Sequence, residues 1–178
     1  GDVLAMTRTA LIHGGLPNHF WPFCSACVCM NDNVHWDETG ESSWFHAHGQ
    51  GEFSGQALPF GCAVWFLPAT TKHRKKGDIP LRPKWGGRAE IGVFAGYDLS
   101  PGLLWTRRYL VWPLRDFVGL DLTATSSGKS PQARKFASPH ATARVDKGTS
   151  EPVFPLKSTY DWWNGTFEGM TRHAGAQG

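Results

Sequence analysis

The sequence predicts an α+β protein: a helical pair, then a small antiparallel barrel of short strands, then a largely disordered tail. Three observations lead there. Near the amino terminus, apolar residues recur at helical spacing on both sides of a turn at Gly14-Gly15 and Pro17. From Pro59 onward, aromatic and branched residues come in short runs bounded by Pro and Gly, with no helical pattern between them. After Ala124 the chain turns to Ser, Thr, Ala, Pro, Gly and basic residues up to about Pro152, a composition too poor in apolar surface to order itself.

Taken in order, residues 2–14 place Leu4, Leu11 and Ile12 on a roughly helical period that Gly14-Gly15 ends. Pro17 and Asn18 open a second helical pattern, with Phe20, Phe23, Cys24, Cys27, Val28 and Met30 as candidate buried positions. Pro22 falls in its first turn, where a missing N–H costs little. A short Gly-Pro turn between two helices predicts an antiparallel pair. Residues 1–34 form this unit, and residues 35–58, polar, aromatic and Gly-rich without a period, read as a linking loop.

Residues 59–124 read as the barrel. The run PFGCAVWFLPA is a strand pattern in which alternation places Phe60, Cys62, Val64 and Phe66 on one face and Trp65 on the other. RAEIGVFAGYDL and LLWTRRYLVWPL read as two strands joined at Ser100-Pro101-Gly102, with DFVGLDLTA adding a short fourth and fifth. Gly92 and Gly96 predict curvature or close packing. Residues 125–178 are the tail, which carries a late aromatic island of Tyr160, Trp162, Trp163 and Phe167 that either docks back or binds a partner.

Composition sets the bounds. In 178 residues, 40% hydrophobic with nine Trp and eleven Phe, a packed core is within reach because large rings fill it with few residues. No apolar run approaches the ~20 residues that span a bilayer, and no signal-peptide pattern opens the chain, so the expectation is an intracellular protein without a membrane partner. Gly1 is not an initiator Met and the first Met is Met6, which reads as a processed piece or a fragment of a longer frame. The net charge of +3 hides an asymmetry. Lys72, Arg74, Lys75, Lys76, Arg82, Lys84 and Arg88 face one acid, Asp78, whereas residues 32–52 carry Asp32, Asp37, Glu38, Glu41 and Glu52 and no Lys or Arg. The basic segment suits a polyanion, with Trp85 offering a ring for stacking and Arg107 and Arg108 following on the hairpin, sent by alternation to opposite faces. The plainer alternative is a solvated loop kept polar for solubility.

Other groupings favour structural readings. Cys24, Cys27 and Cys29 with His13, His19 and His35 invite a zinc site, but their spacing is not that of two separated ligand pairs. On a helix Cys24 and Cys27 share a face and Cys29 does not, so buried thiols are expected rather than a metal or a disulfide framework. Ser127-Gly128-Lys129-Ser130 lacks the Gly that a phosphate-binding loop needs five residues before Gly128, where Thr123 stands. Asn164-Gly165-Thr166 is a formal glycosylation sequon without a secretory route. The early acids sit in helix ends and loops, not on strands that would aim carboxylates at a shared metal pair.

Three segments in order carry a family resemblance: ALIHGGLPNHFW (Ala10 to Trp21), PFGCAVWFLP (Pro59 to Pro68) and KWGGRAEIGVFAGY (Lys84 to Tyr97), the last followed by PGLLWTRRYLV. Together, over roughly residues 4–124, they resemble the integrase region of copia-type retrotransposon polyproteins. The resemblance implies a ribonuclease-H-like core, with two Asp and one Glu around divalent metal ions, followed by an SH3-like barrel. By that alignment the family's Glu falls just before Gly1 and both Asp residues far upstream. Residues 1–34 would then be the terminal helices of the core, and the chain would be non-catalytic, with no cofactor or metal of its own. It would bind duplex DNA through phosphate contacts, in the nucleus, in support of integration, and would meet other polyprotein regions, with the polyprotein itself in the cytoplasm. The rival readings are a protein-interaction module using the barrel or the Trp-rich tail, and a small Cys/His metal-binding protein.

Overall fold

A computed structural model describes residues 2–49, 51–68, 89–120, 122 and 138–165. Helix α1 (Val3–Gly14) starts where the Asp2 carboxylate accepts the Leu4 N–H at 3.0 Å and ends at Gly15, which adopts φ 69° and donates its N–H to the carbonyls of Ile12 and Leu11. A 3₁₀ turn (Asn18–Phe20) leads into α2 (Trp21–Val34), with Pro22 in its first turn. The two helices pack against each other, as their short connection predicts. The buried stripe of α1 is Thr7, Leu11 and Gly14, so the expectation for Leu4 and Ile12 is corrected: they are 55% and 51% exposed. One residue past Leu11, the 100° turn of the helix carries Ile12 outward, and the packed stripe starts a turn after Leu4. The gap beside Thr7 is closed by Cys24, whose thiol points to the Thr7 carbonyl at 3.5 Å. On α2, Cys24, Cys27, Met30 and Val34 are buried, and Phe20 is buried just before it.

Residues 35–58 are mostly irregular, as expected, but they include a short helix, α3 (Ser43–Ala47), whose start is fixed by the Phe45 N–H bonding the Ser42 hydroxyl at 3.1 Å. The end of this stretch is pinned to the sheet and to α2 by a buried polar network. The Tyr97 hydroxyl donates to Asn31 Oδ1 at 2.6 Å and accepts the Leu58 N–H at 3.1 Å, while Asn31 Nδ2 donates to the Leu58 carbonyl at 2.9 Å.

Among the described residues five antiparallel strands follow: β1 (Ala63–Phe66), β2 (Glu90–Ser100), β3 (Leu104–Pro113), β4 (His140–Thr142) and β5 (Val145–Asp146), in the order β4-β3-β2-β1-β5. The last two are separated by only Ala143 and Arg144 yet pair with opposite edges, β4 with β3 and β5 with β1. One bent segment therefore spans both edges and curls the sheet into a half-barrel. The alternation expected along β1 is present: Phe60, Cys62, Val64 and Phe66 are buried and Trp65 is 47% exposed. The hairpin at residues 101–103 is also as expected. Gly92 permits close packing, since a Cβ there would lie 2.4 Å from Val111 Cγ1. Gly96, at φ 119°, occupies a bulge in β2.

The fourth and fifth strands expected over residues 116–124 are corrected for residues 116–120 and 122, and the rest of that run lies outside the described residues. Pro113 closes β3 and residues Leu114–Phe117 turn as a 3₁₀ helix that buries Phe117. The fourth and fifth strands come from the segment expected to be disordered. Short edge strands need backbone partners more than local hydrophobicity, and β1 and β3 supply them. The same holds for the aromatic island: α4 (Lys157–Trp163) docks on α1, burying Leu156 and Tyr160. The remainder of the tail expectation, including Ser127–Ser130, Thr166 and Phe167, lies outside the described residues, as does the side chain of Trp163.

The buried residues of α1, α2, the strands and α4 form one hydrophobic cluster, from Leu11 through Phe94 and Trp112 to Tyr160. The boundaries drawn at residues 34, 58 and 124 therefore do not separate cores. Gly15 links the two ends of the chain: a Cβ there would lie 2.6 Å from the backbone of Leu156 and Lys157. Gly15→Ala is expected to cost about 2 kcal/mol, from left-handed strain and the displaced segment, read as a lower urea midpoint; an unchanged midpoint would contradict this packing.

Candidate nucleic-acid interface

Seven of the cations proposed from sequence, Lys72, Arg74, Lys75, Lys76, Arg82, Lys84 and Arg88, lie with Trp85 outside the described residues. What the structure gives is the place where their segment leaves and re-enters the fold. Phe66 at the end of β1 is paired with Glu90 at the start of β2, so residues 69–88 depart and return at one end of adjacent antiparallel strands. That end is braced. Arg115 Nη1 contacts Glu90 Oε1 at 2.5 Å, and the Thr142 hydroxyl donates to the Leu67 carbonyl at 3.4 Å.

Arg107 and Arg108 are not at that end. They oppose Asp98, eight residues along β2 from Glu90, which at ~3.3 Å per residue is a separation of roughly 26 Å. Their expected placement on opposite faces is corrected as well. Between the pairs Tyr97↔Tyr109 and Leu99↔Trp105, β3 carries extra residues, and Arg107 adopts φ 63°, which breaks the alternation and leaves both arginines exposed. Arg108 Nη2 sits 2.6 Å from Asp98 Oδ2, an oxygen that also accepts from the Thr106 hydroxyl at 3.0 Å. The Arg108 carbonyl receives the Trp105 indole N–H at 2.9 Å. Part of the positive charge at this end of the hairpin is thus answered internally.

Two cations not singled out by sequence reasoning, Arg144 and Lys147, are exposed on the bent segment beside the braced end. The alternation of Arg144, Val145 and Asp146 was their only signal, and the tail-like composition around them obscured it. Val145 is buried and pairs with Phe66, while Asp146 pairs with Trp65.

The remaining candidate groups take structural roles. Cys24, Cys27 and Cys62 are buried and Cys29 is part-buried, so the expected division of the helix faces holds. Burial pushes the Cys24 and Cys62 thiols up to about 12, and it also raises Cys27 well above its ordinary value, with Cys24 and Cys62 adding to the effect there. Among the described residues no three His, Cys, Asp or Glu side chains are grouped to hold a metal ion. Asp37 organises a turn, accepting from the Thr39 hydroxyl at 2.5 Å and the Thr39 N–H at 2.8 Å; the first of these bonds is the main cause holding its carboxyl below the usual range. Glu41 meets His46 at 2.8 Å. His13, Asp32 and His35 border a shallow groove of about 640 Å³ between α1 and α2, lined mainly by Ala5, Met6, Ala10, Val28, Phe60 and Phe154. No helix among the described residues is long and apolar enough to cross a membrane.

Comparison with family models, curated proteins and solved structures finds no match to this chain.

Proposed function

We propose that the chain is a non-catalytic piece of a copia-type retrotransposon integrase that binds duplex DNA without sequence preference, in support of integration. The observation that carries the reading is the basic segment: seven Lys or Arg against one Asp over residues 72–88, inserted between two adjacent strands of a braced antiparallel sheet. Such a segment delivers cations to phosphates at low geometric cost, because phosphate contacts position a duplex without reading its bases. The three resembling segments support the family assignment, and the curled antiparallel sheet after a helical pair supports an SH3-like barrel following the last helices of a ribonuclease-H-like core. The polyprotein that holds this region would assemble in the cytoplasm and act in the nucleus, with the strand-transfer carboxylates supplied from outside these residues.

The test is duplex affinity against salt concentration, for the intact chain and for the variant with Arg74→Ala, Lys75→Ala and Lys76→Ala. The logarithm of affinity should fall linearly with the logarithm of salt, and the variant's slope should be shallower by roughly 0.9 for each phosphate contact removed. Equal slopes, or absence of duplex binding at low salt, would defeat the reading. Metal-dependent strand transfer by the purified chain would defeat its non-catalytic part.

A further inference from the structure

We infer that a cleft at the carboxyl-terminal end of α2 is a docking site for an apolar, arginine-bearing peptide segment of a partner protein. It is independent of the nucleic-acid reading, which concerns other residues.

The cleft has two connected parts. Past Asn31, His35 and Pro59, the apolar groove between α1 and α2 leads into a second cavity of about 390 Å³. Those three residues line both parts, so whatever fills one is adjacent to whatever fills the other. Trp36, 48% exposed, Phe53 and Glu52 line the second cavity. Its walls are held in place by the fold. The Phe53 ring packs on Trp44, Tyr97 and Trp105 at centroid distances of 5.3, 5.8 and 4.6 Å. Asn31 accepts from the Tyr97 hydroxyl and donates to the Leu58 carbonyl. Walls fixed in this way lose little freedom when a ligand covers them.

The electrostatics of the cleft select a cation. Most of its lining comes from one stretch, Thr9 to Pro68, which contains five acids and no Lys or Arg. Asp32 borders the groove and Glu52 the cavity, and both are exposed. Asp37 and Glu41, by contrast, are engaged by Thr39 and His46. The cavity also lies against the last turn of α2, a helix of 14 residues whose carbonyl end is partially negative. No basic side chain in that turn offsets it. The rings of Trp36 and Phe53 add their own attraction for a cation, and a guanidinium suits them best because it is flat and weakly hydrated. A phosphate would meet two carboxylates and a negative helix end, so nucleic acid is the wrong occupant. The groove next to the cavity offers Met6, Ala10, Val28 and Phe154, which take apolar side chains. One ligand that satisfies both parts carries an arginine beside apolar residues, as a peptide does and a small amine does not.

The experiment measures anisotropy of a fluorescein-labelled synthetic peptide of Leu, Phe and Arg, titrated with the intact chain. Replacing each Arg by neutral citrulline, or each Leu and Phe by Ser, should weaken binding clearly. Glu52→Gln and Trp36→Leu should each weaken the Arg peptide by about threefold, the scale of one exposed ion pair and one exposed cation–ring contact. Glu52→Arg should reject the Arg peptide and accept one with Glu in place of Arg. Both positions are exposed, and far-UV circular dichroism checks that each variant keeps its fold. Equal binding of the citrulline peptide, or full affinity in both Glu52→Gln and Trp36→Leu, overturns the inference. Equal binding of the Ser peptide, or competition by arginine amide at the same concentration as the peptide, overturns it in favour of a small-cation site. A dimer in sedimentation that Glu52→Arg dissociates overturns it in favour of a second copy of the chain.

Discussion

Trp112→Ala should lower the stability of the whole protein by about 4 kcal/mol, in the range measured when a buried large ring is truncated. Trp112 is 1% exposed at the junction of every layer. Phe20 and Phe23, leading into and on α2, meet it edge-on at centroid distances of 5.1 Å each, at 82° and 79°. Phe60 approaches at 6.3 Å and 87° from the segment before β1, and Phe117 at 6.2 Å and 84° from the 3₁₀ turn after β3. Removing the indole leaves four rings facing a void that none of them can fill without abandoning its own packing. A small domain is stable by only about 5–15 kcal/mol, so the loss is a large share of the total. Because the ring joins the helices to the sheet, urea unfolding followed by far-UV circular dichroism and by tryptophan fluorescence should show coincident transitions shifted together to lower urea. Two separated transitions, with helical signal surviving the loss of the sheet, would show that the helical pair and the sheet are independent units. Trp112→Phe should cost less than Trp112→Ala, since much of the volume is retained.

Legibility in the sequence followed the length and regularity of each element. The period of two from Phe60 to Phe66 is unbroken, and its inward and outward faces are those observed. The hairpin was marked by Ser100-Pro101-Gly102, and the helical pair by Gly14-Gly15 and Pro17. What escaped depended on contacts between distant segments. The buried Thr7 bonds its hydroxyl to the Val3 carbonyl one turn back, but its own carbonyl is met by the Cys24 thiol seventeen residues away, a contact no local pattern announces. The strands His140–Thr142 and Val145–Asp146 are too short to show a period, and they exist because both edges of the sheet need closing.

The candidate site divides in the same way. A concentration of cations over residues 72–88 is visible in composition, but the distance that separates its anchor from Arg107 and Arg108 depends on register and on a bulge. The outward direction of Trp65 was legible from alternation, whereas the close approach of Gly148 to its ring and the exposure of Arg144 and Lys147 come from a segment whose composition resembles a tail. Aromatic side chains on these strands read as core, and most are; Trp65 is set apart by its exposure rather than by its residue type.

Raising the pH from 9 toward 12 should unfold the protein, with the buried thiols as the main cause. An unfolded Cys ionises near 9.0, whereas burial holds the Cys24 and Cys62 thiols neutral up to about 12 in the fold, and Cys27 is raised in the same direction. A folded pKa above the unfolded value means that the unfolded chain releases protons first. The stabilisation is therefore intact below pH 9 and is progressively lost as the pH climbs to the folded value. Tyr97, raised from 10.0 mainly by burial, adds to the loss from pH 10 upward, since its hydroxyl proton is the one donated to Asn31. Far-UV circular dichroism against pH should show a cooperative loss of structure in this window, and Cys62→Ala, which removes one of the ionising groups, should move its midpoint to higher pH. The same burial predicts slow thiol chemistry at neutral pH. Of the four cysteines, the part-buried Cys29 should react with Ellman's reagent in the native protein, and the other three only on unfolding. Rapid modification of three or more thiols without denaturant would show that the packing of α2 on the sheet at β2 opens freely, and retention of native structure at pH 12 would show that the thiols do not govern alkaline stability.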